Sequence, residues 1–503
     1  MQNGTRLAAV DLGSNSFRLE IGNFDHGQIH RTEYLKETVR QGNGLDDDRN
    51  LTPEAMQRGW DCLARFGERL SQFKPSQVRA VATQTLREAR NRDAFLIRAN
   101  AILGFSIDVI SGQEEARLIY QGVSHLLPQS NEKRLVIDIG GRSTELVLGQ
   151  QLTASHMSSY RVGSVTWSMK YFSNGQIDEA SFNKAEIAAK AILDDALNVY
   201  KRGTWDIAYG SSGTIGAVSD ILSAAGGAEP IITREGLQWI REKLIKAQHS
   251  DRIKLAGMKD DRRAVIAGGI SILCALFDLL NIEELLPAEG ALRHGVLYDL
   301  LDRDNDQIDV RNTSVKRLAT NFGMDVAQAN RVSKIATTLF SQTQSPLPTD
   351  ATQYAEAMKT LHWAAQLHEI GCRISHSDYH KHGAYILDNA DIAGFAMPES
   401  HRLSLLVFGH RGKLKKLELE LDDTNFSQLL LCLRLAVILC HARNESEIEN
   451  LKLTVLKNEK YQFFLTCPPN WANDFPQSAH LLREEAVAWK KVNRILHLQG
   501  CEA

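Results

Sequence analysis

Two nine-residue segments of this chain repeat one arrangement of acidic, small and hydroxyl residues. Residues 11–19 read Asp-Leu-Gly-Ser-Asn-Ser-Phe-Arg-Leu, and residues 138–146 read Asp-Ile-Gly-Gly-Arg-Ser-Thr-Glu-Leu. Small residues let backbone N–H groups approach an oxyanion, and Ser and Thr hydroxyls donate further hydrogen bonds. An Asp at the end of the preceding strand can hold a cation through water. Two such loops facing one another would clamp a chain of phosphates. A third turn, Gly210-Ser211-Ser212-Gly213-Thr214, suits the same chemistry and equally an ordinary strand-to-helix turn. A Walker A loop is excluded at Gly290-Ala-Leu-Arg-His-Gly295, because Val296 follows where that loop needs Lys.

Breaking a phosphoanhydride requires an aligned water, a carboxylate to take its proton, and positive charge or N–H dipoles on the non-bridging oxygens. A candidate carboxylate lies in Ser111-Gly112-Gln113-Glu114-Glu115, where a strand ends and a helix begins. Ser111 and Glu114 have capping-box spacing, which occupies Glu114 and leaves Glu115 free to point elsewhere. The alternative is a pair of acids favoured by the dipole of a first helical turn. Arg87, after the strand at 78–82, is either the cationic contact that a Gly/Ser loop lacks or a surface residue.

The elements that must carry these groups follow from periodicity. Apolar runs at 7–10 and 135–137 lead into the loops, and alternation follows at Phe17/Leu19/Ile21 and Leu146/Leu148, giving strand, tight turn, strand twice. Strands and helices alternate from Leu7 to about Leu127, a polar break covers 128–133, and a second α/β series runs to Leu301. The similar openings predict a duplicated α/β unit with a cleft between its copies. A charged linker at 302–307 precedes helical periodicity from Ser314 to about His441. A hairpin follows at 451–455 and 461–465 around a turn at 457–460, then a closing helix at 479–496. The expected domains are 1–130, 131–303, 304–441 and 442–503.

Bulk properties narrow the partners. A formal net charge of -3 over 503 residues gives no global attraction to nucleic acid or acidic lipid, so a polyanion must meet a local cluster of cations. Seven scattered cysteines without a C-x-x-C pair argue against a zinc site and a disulfide framework, and for a reducing compartment. The first strand begins by Leu7 without a basic start and long apolar stretch, so no signal peptide is expected. The longest apolar run, 264–277, contains Gly268, Gly269 and Ser271 and reads as a core helix rather than a membrane span. A cytoplasmic protein is expected.

The strings at 11–17, 110–120, 138–146 and 210–214, with Gly-Ala-Leu-Arg-His-Gly-Val-Leu-Tyr at 290–298, occur in order across the first 300 residues. Together they resemble the exopolyphosphatase/guanosine pentaphosphate phosphohydrolase family. The resemblance implies two actin-like (ribonuclease H-like) α/β domains of the ATPase superfamily, then an all-helical HD-like domain and a small α/β tail. It implies Mg2+-dependent, processive release of terminal orthophosphate from inorganic polyphosphate, with guanosine pentaphosphate as the alternative substrate, and a homodimer. Glu115 falls on the catalytic glutamate, and Asp11 and Asp138, with Glu145 nearby, on the metal-associated acids. Gly13, Ser14, Asn15, Ser16, Arg87, Gly140, Gly141, Arg142, Ser143 and Thr144 fall on phosphate-binding positions, as do Gly210, Ser211, Ser212, Gly213 and Thr214. Arg142 departs from the small residue typical there, and either grips phosphate or folds out to solvent.

The stretch from Trp363 to Leu387 is similar to the exopolyphosphatase version of the HD-like domain, and its His368-Glu369 pair stands where a metal-binding HD domain has His-Asp. That favours a structural domain without metal. Two basic clusters, 410–416 and Lys254/Lys259/Arg262/Arg263, are either solvated faces or a track for a polyanion. The rival readings are a kinase of the actin-like superfamily and a non-catalytic polyphosphate or nucleotide sensor.

Overall fold

The apolar run at 7–10 is buried because its strand is flanked on both sides. β1 (Thr5–Leu12) pairs antiparallel with β2 (Phe17–Asp25) and parallel with β4 (Val78–Ala82). With β3 (Gln28–Glu37) and β5 (Ile107–Val109) they form a sheet of order β3-β2-β1-β4-β5. A second sheet, of order β10-β11-β9-β6-β7-β8, comprises β6 (Lys133–Ile139), β7 (Thr144–Gln150), β8 (Thr153–Tyr160), β9 (Ile207–Ser211), β10 (Ile232–Thr233) and β11 (Glu284–Pro287). Read from β8, its order 8-7-6-9-11 repeats 3-2-1-4-5, with β10 as an antiparallel addition. The unit is duplicated, and each copy has its own apolar core.

The computed structural model describes residues 2–226, 231–303, 305, 308–343, 351–444, 451–456 and 462–501. The turn expected at 457–460 lies outside the described residues, as do Asp304, Asp306 and Gln307 of the expected linker. The chain divides into two compact units, Met1–Ile308 and Asp309–Ala503.

In the first unit, four helices follow from local signals. α1 (Pro53–Leu70) starts with Thr52 accepting from Ala55 N at 3.3 Å and Pro53 in its first turn, and it buries Ala55, Gly59, Cys62, Leu63, Phe66 and Leu70 along one face. After it come α2 (Gln84–Glu88), α3 (Arg92–Leu103) and α4 (Gly112–Leu126). α4 is buried from Glu114 to Ser124 and packs on the helix Leu292–Arg303 at very short range. A Cβ on Gly295 would lie 1.7 Å from Leu118 O, and one on Gly122 would lie 2.2 Å from Ala291 O. Glycine is required by this approach of two backbones.

The same crossing buries charge. Glu114 receives Arg117 Nε and Nη2 at 2.8 Å each, while Asp299 is bound by Arg79 and Arg117 and by Arg303 Nε at 2.9 Å. Burial alone would raise the Asp299 carboxyl, and the three guanidinium groups overturn that, holding it far below the usual carboxylate range.

Among the described residues between Val310 and Leu439 the second unit is built of helices, around one apolar core that includes Trp363 and Leu430. It ends in a three-stranded sheet, β12 (Lys452–Val455), β13 (Gln462–Thr466) and β14 (Ile495–Gln499), with the helix Pro476–Lys490 between its last two strands. Two expectations are corrected here. The closing helix stops at Lys490, Asn493 turns the chain at φ 57°, and Leu496 belongs to β14. Cys467 and Cys501 form a disulfide, Cα atoms 6.1 Å apart across 34 residues. Parallel pairing of β13 with β14 brings them together, which sequence spacing does not reveal.

His368 is buried, with Nδ1 2.7 Å from Ala365 O, and Glu369 pairs with Arg443 at 2.7 Å. The basic cluster at 410–416 is partly consumed. His410 is buried with Nδ1 2.6 Å from Val407 O, and Lys416 Nζ donates to Phe408 O at 2.6 Å. No described helix is long and apolar enough to cross a membrane.

Gly295→Ala is expected to destabilise the protein by about 1–3 kcal/mol through overpacking. That outweighs the helix-propensity gain of about 1 kcal/mol. Denaturant titration checks this: an unchanged midpoint would show that the α4 crossing opens at no cost.

Candidate active site

The turns that end β1 and β6 face one cavity of about 440 Å³ within the first unit. Asp11, Gly13, Ser14, Asn15 and Ser16 line it from the first turn, and Asp138, Gly140, Gly141 and Ser143 from the second. The third glycine-rich turn adds Ser211, Ser212, Gly213 and Thr214, and α4 adds Glu115. The first two turns nearly touch: a Cβ on Gly141 would lie 3.2 Å from Ser14 Cβ. Ser212 holds a left-handed φ of 107° while its hydroxyl accepts from Thr214 N at 3.2 Å and Ile215 N at 3.3 Å. Such strain in a non-glycine residue is characteristic of built sites.

The duplicated halves differ at one register position. Asp11 lies across the strand pair from Arg18, whereas Asp138 lies across from Glu145. Arg18 Nη1 binds Asp11 Oδ2 at 3.0 Å and leaves Asp11 Oδ1 buried without a partner. The second half has no such cation at that position. Burial pushes the Asp138 carboxyl up to about 6; the Ser211 hydroxyl opposes this, and Glu115 and Asp11 add to it. Burial, then the charges of Glu115 and Asp138, raise Glu145 well above its ordinary range. Ser159 Oγ donates to Glu145 Oε1 at 2.8 Å, and Oε2 is a second buried orphan.

Glu115 and Glu114 part company as their spacing implies, with a different partner for Glu114. Ser111 Oγ accepts from Glu114 N at 3.1 Å, while the Glu114 carboxylate is gripped by Arg117. Glu115 turns to the cavity, its Oε2 2.7 Å from Arg87 Nη1. Burial raises Glu115, and the Arg87 cation acts against that rise.

Several expected contacts lie outside the cavity wall. Arg87 gives its donors to Glu115, Ile110 O and Gln84 Oε1, so it holds the carboxylate rather than facing substrate. Arg142 turns to Glu88 and Gly42 O. Thr144 Oγ1 donates to Val162 O at 2.6 Å, and Gly210 packs against Ile215 and Leu285. Glu145 sits behind the wall, and the wall holds Arg18 and Arg293 from the quoted strings together with cations from outside them, Lys36, Lys259 and Arg262. Arg262 lies so close over the third turn that a Cβ on Gly213 would be 2.0 Å from its Nη2. Lys259 and Arg262 stand out in sequence as a basic cluster, without a sign that they meet the loops.

Among the described residues, no three His, Cys, Asp or Glu side chains form a ready metal cage. Mg2+ does not need one, since it keeps several waters and binds through one or two carboxylates plus substrate phosphates. The orphaned oxygens of Asp11 and Glu145 and the raised carboxyl of Asp138 fit such an ion.

Duplicated α/β lobes that meet at one cavity lined by three Gly/Ser turns have the layout of a phosphoryl-handling enzyme. Residues 21–304 match the Ppx/GppA phosphatase family, and residues 310–486 match Ppx/GppA phosphatase, domain III. The chain is 37% identical over 481 residues to a guanosine-5'-triphosphate,3'-diphosphate pyrophosphatase of Vibrio atlanticus, covering 95% of both chains. It is 37% identical over 493 residues to the protein of that name from Pseudoalteromonas translucida, covering 96% of this chain and 97% of that one. Two crystal structures share the fold of the first part. An exopolyphosphatase from Cytophaga hutchinsonii has a TM-score of 0.53 at 23% identity, covering 59% of this chain and 98% of its own. An Aquifex aeolicus Ppx/GppA member has 0.51 at 24%, covering 60% and 99%. This chain belongs to the Ppx/GppA phosphatase family. It is a hydrolase of phosphoanhydride bonds.

Because Arg87 opposes the rise of Glu115, Arg87→Met is expected to move the acid limb of the pH–kcat profile to higher pH. A base with a higher pKa is already protonated, and so inactive, at a higher pH. A limb that stays in place or moves down would remove Glu115 as the titrating base.

Proposed function

We propose that this chain removes the terminal 5' phosphate of guanosine 5'-triphosphate,3'-diphosphate. The observation that carries the reading is the shared cavity: one carboxylate, Glu115, faces the same space as three Gly/Ser turns and a set of cations. The activity for which relatives 37% identical along 95% or more of the chain are named supports the guanosine substrate over polyphosphate, reversing the order taken from the sequence. The wall also favours a nucleotide. Ile119, Val165, Val265, Leu292 and the Tyr34 ring line it, and a bare phosphate chain has no apolar surface to set against them.

In the proposed reaction Glu115 orients a water and takes its proton as the water oxygen bonds to the terminal phosphorus. The bridging P–O bond breaks, its electron pair leaves with the shortened nucleotide, and orthophosphate is released. Backbone N–H groups at Gly13 to Ser16 and Gly141 to Ser143 carry the growing charge on the non-bridging oxygens, while Gly140 N is held by Ser143 O at 2.9 Å and shapes the turn. Arg262 meets the rest of the phosphate chain, joined by Lys36 and Lys259 as they exchange Asp261 and Asp220 for phosphate oxygens, while Arg18 stays with Asp11. Mg2+ held through Asp11 and Asp138, with Glu145 behind them, would supply further positive charge to the phosphates when bound. Arg87 acts against the burial that raises the Glu115 carboxyl, and aims it.

The test is phosphate release with Mg2+ from guanosine pentaphosphate and from long-chain polyphosphate, each offered alone and in competition. Guanosine pentaphosphate is expected to give the higher kcat/KM, and Glu115→Gln to lower kcat on it by roughly 10²–10⁴-fold. Turnover of polyphosphate alone would overturn the substrate assignment, and an active Glu115→Gln the mechanism.

A further inference from the structure

Arg142 belongs to the second phosphate turn, yet its guanidinium reaches across to the other lobe. Nη2 and Nε lie 2.7 and 3.1 Å from Glu88 Oε2, and Nη1 donates to Gly42 O at 2.9 Å. All three nitrogens are engaged in this way. The opposite oxygen of Glu88 accepts from Gln84 Nε2 at 2.6 Å. Gln84 Oε1 in turn accepts from Arg87 Nη2 at 2.6 Å and Nε at 3.0 Å, and Arg87 Nη1 donates to Glu115 Oε2 at 2.7 Å. An unbroken line of hydrogen bonds therefore runs from the second phosphate turn to the candidate base.

The links are sheltered and strong. The Arg142, Glu88, Arg87 and Glu115 side chains are 17%, 13%, 12% and 10% exposed, so both ion pairs are shielded from water and salt. Burial pushes Glu88 up, but Gln84 and Arg142 with Arg161 outweigh it, and its carboxyl stays below the usual range. Each member fixes the next. Glu88 sets the orientation of the Gln84 amide, that amide oxygen holds two guanidinium nitrogens of Arg87, and the third is left for Glu115 and Ile110 O.

We propose that Arg142 is a positioning residue for hydrolysis: through Glu88, Gln84 and Arg87 it fixes the Glu115 carboxylate, so the base is aligned when the second phosphate turn is seated against the first lobe. The inference rests on Glu115 being the base. It assigns Arg142 neither of the roles open in the sequence, since it neither faces substrate nor folds out to solvent.

The test compares kcat and KM on guanosine pentaphosphate and polyphosphate for Arg142→Ala, Arg142→Lys, Arg87→Ala, the Arg87→Ala/Arg142→Ala double variant and Glu115→Gln. Arg142→Ala is expected to lower kcat about 10- to 100-fold by misplacing the base, with KM within about twofold. Arg142→Lys recovers part of the loss, because an ammonium reaches Glu88 as a point charge. The double variant is no slower than Arg87→Ala alone, since the two act through one line. A raised KM with unchanged kcat, additive losses, or no loss would overturn the proposal. An inactive Glu115→Gln beside a fully active Arg142→Ala would remove the relay alone, whereas an active Glu115→Gln would remove the base assignment itself. If Arg142→Ala does not fold, Glu88→Gln carries the same expectation of a loss confined to kcat.

Discussion

Four carboxylates, Asp11, Glu115, Asp138 and Glu145, are buried around one cleft, and the fold is organised to keep them there. Like charges withdrawn from water repel one another and lose hydration, costs that no apolar packing offsets directly. Each acid is met differently. Arg18 neutralises Asp11, Arg87 holds Glu115, Ser159 hydrogen-bonds Glu145, and Asp138 keeps a raised pKa. What remains uncompensated is a deficit of positive charge, which a hard cation with its waters would fill.

Rigidity comes from behind the site. α4 carries Glu115 toward the cavity and Glu114 toward the Arg79, Arg117 and Asp299 cluster on its other side. Buried ion pairs add little net stability, but removing one partner leaves a charge stranded, so they specify one arrangement. The glycine crossing at Gly122 and Gly295 acts likewise through shape. The helix that presents Glu115 is thus pinned by sterics and by charge to the helix Leu292–Arg303, whose first residues, Leu292 and Arg293, line the same cavity.

What the sequence made legible was local. Strand, turn and cap signals span a few residues, so β1, β6, the three Gly/Ser turns and the start of α4 at Ser111 follow from composition and spacing. What stayed hidden depends on partners distant in the chain. Arg262 meets the third turn, Lys36 and Arg293 join the same wall, and Cys467 finds Cys501 only because β13 and β14 pair. Arg87 shows the limit most clearly. Its place after β4 marks it as a cation near the site, but only its contacts with Gln84 and Glu115 show that it holds a carboxylate.

The mismatch between the duplicated halves has a consequence for direction. A row of phosphates looks much the same from either end, and a cleft of two equivalent turns would accept it in both senses. Arg18 opposite Asp11 and Glu145 opposite Asp138 break that equivalence, giving the cleft one compensated flank and one electron-rich flank. An anhydride lying between them would meet a different flank at each end, a polarity that the duplication alone lacks.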